Sequence, residues 1–102
     1  MPTSRRIWSR DKLSVDALLT DDGDLVFEGQ DLNGALGYAE YEYWVTAPAS
    51  VVPQVVAALG GSRDDDVLTL LAEHADEVVL RGESTWLRSL GIDPSVDTHT
   101  SD

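Results

Sequence analysis

Apolar residues recur at every second position in the first half of the chain and at intervals of three and four in the second, and this change of period constrains the fold most. Leu13, Val15, Ala17 and Leu19 alternate with Ser14, Asp16 and Leu18, the pattern of a strand covered on one side. Asp21-Asp22-Gly23-Asp24 supplies turn residues, and Leu25-Val26-Phe27-Glu28 resumes with strand formers, so this pair predicts a hairpin. In Glu40-Tyr41-Glu42-Tyr43-Trp44-Val45-Thr46, Tyr41, Tyr43 and Val45 share one face, and Glu40, Glu42, Trp44 and Thr46 the other. The stretch from Asp31 to Tyr38, with Asn33-Gly34 and Gly37, reads as the connecting loop.

From Ser50 the spacing becomes helical. Val52, Val55, Val56 and Leu59 form a stripe, Ser50 is positioned to cap, Pro53 suits a first turn, and Gly60 ends the run. A second helix is expected from Ser62 to about Asp76, with Asp64, Asp65 and Asp66 in its first turn and Val67, Leu68, Leu71 and Ala75 on its apolar side. A third is expected from Ser84 to Leu90, closed by Gly91 with Ile92 packing back on Leu87, and Pro94 prevents its continuation. The expected architecture is therefore α+β: a three-stranded antiparallel meander followed by three short helices on one face, βββααα. Residues 1–10 read as a flexible basic arm with Trp8 able to fold back, 11–92 as a single domain, and 93–102 as a disordered acidic tail.

The 102 residues suit one domain, and an apolar fraction of 42% is enough for a core. Seven Lys and Arg oppose 19 Asp and Glu, giving a net charge of -12. Such a field repels phosphate backbones and anionic lipid, which argues against nucleic-acid or membrane partners and for a basic protein. The charge is uneven: Asp11 to Pro48 holds nine carboxylates against Lys12 alone, whereas Arg5, Arg6 and Arg10 crowd the start. Solubility alone also accounts for net acidity. There is no cysteine, no apolar run near the ~20 residues of a spanning helix, and no signal-peptide pattern, so a cytoplasmic location is expected. One lysine beside six arginines and an excess of Asp over Glu suit a GC-rich bacterial or phage gene.

No cluster predicts catalysis, a cofactor or a metal. Asp21, Asp22 and Asp24 lead into a strand rather than the remaining ligands of a calcium loop. Asp64-Asp65-Asp66 would diverge by about 100° per residue on a helix. His74 and His99 lack partners at metal or triad spacing, and Gly29, Gly34 and Gly37 lack the spacing of a phosphate loop. The binding candidate is the sheet face opposite the helices, where parity gathers Asp16, Glu28, Gln30, Glu40, Glu42, Trp44 and Thr46. An indole among carboxylates suits an interface with Arg or Lys, and the alternative is that Trp44 completes the core or lies under Arg6 or Arg10. Trp86, beside Leu87, reads as core.

Gly29-Gln30-Asp31-Leu32, Glu40-Tyr41-Glu42-Tyr43 and Val55-Val56-Ala57-Ala58-Leu59-Gly60, in this order and with this charge, resemble small acidic bacterial proteins of the immunity or antitoxin type over residues 11–92. The resemblance implies a protein that blocks a toxic, often basic, enzyme by covering its active site, and it transfers no residue roles. The competing expectation is a phage-type inhibitor whose carboxylates imitate the phosphates of a nucleic acid. Partner identity and oligomeric state stay open at this level.

Overall fold

The computed structural model describes residues 3–10, 13–31, 40–62 and 64–101. The expected connecting loop lies, beyond Asp31, outside the described residues. Among these residues, five strands form one antiparallel sheet in the order of the chain: β1 (Thr3–Arg10), β2 (Leu13–Leu19), β3 (Leu25–Asp31), β4 (Glu40–Ala47) and β5 (Ser95–Ser101). Between β4 and β5 the chain makes a short 3-10 turn (Ala49–Val51) and four helices: α1 (Val52–Ala58), α2 (Val67–Glu73), α3 (Ala75–Arg81) and α4 (Glu83–Ser89).

The α+β class stands, but the three-strand, three-helix layout does not. The expected basic arm is an edge strand. Seven of its eight residues pair with β2, from Thr3↔Leu19 to Arg10↔Leu13, with a register shift between Arg6 and Trp8. That bulge turns the consecutive residues Ile7 and Trp8 both into the core, so β1 carries no alternating pattern. The expected tail forms β5, paired with β4 over seven positions from Thr46↔Ser95 to Glu40↔Ser101. Its stability comes from a ladder made with a distant segment, so one large apolar residue, Val96, suffices where isolated composition suggests disorder.

The central hairpin follows its local chemistry. Gly23 has φ 88°, its N–H donates to the Thr20 carbonyl, and the Thr20 N–H donates to the carbonyl of Asp24. Asp24 serves beyond its own turn: its carboxylate accepts the Ala49 N–H at 2.8 Å, satisfying the start of the 3-10 turn 25 residues later. Ser50, expected to cap, makes no side-chain cap bond there.

Asp64 to Asp66 precede α2 rather than occupy its first turn. Asp66 is its N-cap, accepting the Leu68 N–H at 3.3 Å and the Thr69 hydroxyl at 2.8 Å, while Asp65 accepts the Ser62 N–H at 2.8 Å. The helical path does not end at Asp76: after His74 it restarts as α3, which buries Ala75 and Val78 and places Asp76 and Glu77 in its first turn and Arg81 in its last. α4 ends in a Schellman motif, Gly91 at φ 81°, with Ile92 N–H donating to Leu87 O and Gly91 N–H to Arg88 O.

All four helices lie on one side. α2 and α3 pack over β1, α2 also reaches β2, and α4 packs over β4. The core joins Val15, Ala17, Leu25, Phe27, Val45 and Ala47 of the sheet to buried residues of the helices, including Leu71, Val78, Trp86 and Leu87. Among the described residues, no helix is long and apolar enough to cross a membrane.

Candidate protein interface

Period-2 alternation sends one set of side chains into the core and the other to the opposite face, and on that opposite face no described residue of the sheet is buried. The register gives this face its order. One cross-strand row runs Arg6–Asp16–Glu28–Trp44–Asp97, a second runs Ser14–Gln30–Glu42–His99, and a third runs Ser4–Leu18–Val26–Thr46–Ser95. Asp16, Glu28, Gln30, Glu42, Trp44 and Thr46 therefore share a face. Glu40 occupies a register position on it through its pairing with Ser101, and its side chain lies outside the described set.

The carboxylates in this set are not equivalent. Asp16 accepts a hydrogen bond from Arg6 Nε at 2.8 Å, which neutralises the β1 edge of the patch. The charge-assisted bond holds Arg6 more firmly protonated than a free guanidinium. Glu28 is exposed and Trp44 half-buried beside it, so the acidic surface centres on β3 to β5. Asp97 and His99 belong to the face but escape sequence reading, because strand parity cannot be assigned to a segment taken as disordered. The pattern Val96-Asp97-Thr98-His99-Thr100, with β-branched residues at alternate positions, is the signal that could have found them.

Among the described residues, Trp44 lies outside the core cluster and no arginine stacks on its ring. The arginine–indole contact forms elsewhere, with the Arg10 guanidinium 4.9 Å from the ring centre of Trp8. Trp86 is buried, as its place beside Leu87 predicts.

Protein-family models, curated proteins and solved structures were each searched with this chain, and none matches.

On the helix side of the sheet a second polar feature appears. The Tyr43 ring lies across Gly29, where a Cβ would clash with the ring, and its hydroxyl donates to Glu83 Oε1 at 2.7 Å. Glu83, at the first turn of α4, is 5% exposed, and burial raises its pKa against the opposing pull of the Tyr43 bond and a backbone bond. Burial also raises the Tyr43 phenol, with the Glu83 charge adding to it. The pair ties β4 to α4 and satisfies both groups, which is a structural role.

An open cleft of about 240 Å³ lies between Leu19, Val52, Pro53, Val56 and Val67, with Asp65 and Asp66 at its rim. Both of these carboxylates already accept the bonds that shape the approach to α2. His74 sits at the α2–α3 junction, away from this cleft's lining. Among the described residues, no group of three or more His, Asp or Glu is arranged to hold a metal ion.

Proposed function

We propose that this chain binds and neutralises a basic protein, of the kind a toxin or nuclease presents, through the acidic sheet face. The observation that carries the reading is the row in which half-buried Trp44 stands between Glu28 and Asp97 on the face left without a helical layer. An indole offers a large desolvated contact, while flanking carboxylates steer an approaching basic surface and pair with Arg or Lys at the rim. A rigid five-stranded platform holds these groups in register, so little conformational freedom is lost on docking. The chain acts as an inhibitor rather than an enzyme in this reading. It works in the cytoplasm, a reducing setting that a chain without cysteine suits.

Mimicry of a nucleic acid is less well supported. A phosphate-like array needs an unbroken run of carboxylates, and here Arg6 neutralises one end of the row and Trp44 interrupts the other.

The test is affinity capture of a basic partner, followed by titration with variants. Glu28→Lys and Trp44→Ala, with the fold retained by circular dichroism, are expected to weaken binding at least tenfold each, within the range of interface anchors. Unchanged affinity in both variants overturns the face assignment. Competition by duplex DNA for the captured partner would move the reading to mimicry.

A further inference from the structure

The sheet has two edges, β1 and β5, and they are built differently. β1 carries the devices that discourage another strand from adding: the bulge between Arg6 and Trp8, and the exposed arginines Arg5, Arg6 and Arg10. β5 has none of these. It pairs with β4 through seven successive positions without a register shift, contains no proline, and alternates β-branched residues with polar ones. Among the described residues no further strand pairs with its outer edge, which is thus a regular template for one more antiparallel strand.

We propose that the strand added there is β5 of a second copy, paired about a two-fold axis at Thr98. In an antiparallel pair, directly opposed residues point to the same face, so the outer set of one copy must meet the outer set of the other. The axis then passes through a residue rather than between two. Centring on Asp97 brings two carboxylates face to face, and centring on His99 brings two imidazoles together and sets Asp97 against Ser101. Centring on Thr98 places Asp97 opposite His99 of the second copy, twice, with Ser95 opposite Ser101 at the ends. This register alone of the three sets each Asp97 carboxylate opposite an imidazole, a donor that can also carry positive charge, rather than opposite a like carboxylate or a neutral serine hydroxyl.

The dimer is a continuous ten-stranded sheet with both helical layers on one side and both acidic faces on the other. The two Trp44 positions stand three strand spacings apart across the sheet and two residues apart along it, about 16 Å in all. A single strand pair buries less than the roughly 1,000 Å² of a stable interface, so the association is weak and reversible. The charge of -12 on each chain opposes it, and added salt relieves that repulsion. Self-association therefore strengthens with salt, whereas capture of a basic partner weakens with salt, and the two interfaces are separable by that sign.

Sedimentation equilibrium of the whole chain, at low and high salt and up to millimolar concentration, reads the proposal. Wild type is expected to dimerise more tightly at high salt. Asp97→Lys sets a cation against His99 of the second copy and is expected to weaken the dimer about tenfold, from two unfavourable cross-strand pairs. Asp97→Glu and His99→Lys keep complementary pairs and should retain the dimer. Thr98→Cys, in a chain otherwise free of cysteine, is expected to oxidise to a covalent dimer, because opposed antiparallel residues lie within disulfide reach, while Ser4→Cys on the other edge should not. A wild type that stays monomeric throughout, an Asp97→Lys variant that dimerises as wild type does, or equal cross-linking of the two cysteine variants overturns the proposal. None of these outcomes bears on binding of a basic partner.

Discussion

Gly29, Tyr43 and Glu83 form the most constrained local arrangement in the protein, because each occupies space or supplies a bond that the next requires. Gly29→Ala would drive a methyl into the Tyr43 ring, and a loss of about 3 kcal/mol is expected in urea unfolding, the upper part of the usual overpacking range. Tyr43→Phe leaves the Glu83 carboxyl without its donor and should cost about 1–3 kcal/mol by the same measurement. Glu83 also sets a pH dependence. Burial raises its folded pKa, so the folded state retains a proton that the unfolded chain has released. Stability from this group is complete below the unfolded value, about 4.3, and is lost as pH rises through the higher folded value. Glu83→Gln removes the titration, so the stability of the variant relative to wild type should rise between pH 4 and 7. A difference independent of pH would show that Glu83 does not titrate in this window.

At the scale of elements, β1 separates an arm from a strand by experiment. Trp8 is buried through the bulge, so Trp8→Ala should destabilise by about 3 kcal/mol, as truncation of a core aromatic does. A mobile arm would give a change near zero. The same strand shows why the reading from residues stopped short. Alternation identified β2, β3 and β4 because each is regular and has one face on the core, whereas two inward residues in succession hide β1. Helix ends were legible where the signal is local, as at Gly60 and Gly91, whose positive φ closes α1 and α4. They were not legible where the partner is remote: the start of the 3-10 turn is satisfied by Asp24 of the hairpin, not by the adjacent Ser50. Restarting the helix at His74 likewise depends on Ala75 and Val78 finding the core.

Taken whole, the molecule is a charged platform with one face committed to the core. Its acidity is divided by structure into carboxylates with internal tasks and those on the open sheet face proposed for binding. Asp24, Asp65 and Asp66 satisfy backbone groups, and Asp16 pairs with Arg6, so these are poor candidates for partner contact. Glu28 and Asp97 flank Trp44, and Glu42 stands in the neighbouring row with His99. Association with a basic partner should therefore slow and weaken as ionic strength rises, while Glu28→Lys should reduce this salt dependence. Stopped-flow association measured from low to physiological salt gives both numbers, and a rate insensitive to salt would exclude charge steering by this face.

Local periodicity determined the α+β class, the central three strands, the parity of their side chains and the Gly91 helix end, since each depends on residues a few positions apart. Tertiary structure alone decided the bulged edge strand β1, the restart of the helix as α3, the neutralising Arg6–Asp16 pair and the pairing of β5 that brings Asp97 beside Trp44. The physical reason is shared by all of these. A hydrogen-bond ladder, a bulge, a salt bridge or a core contact between distant segments is stabilised by groups that lie far apart in the chain, so neither segment carries the full signal alone.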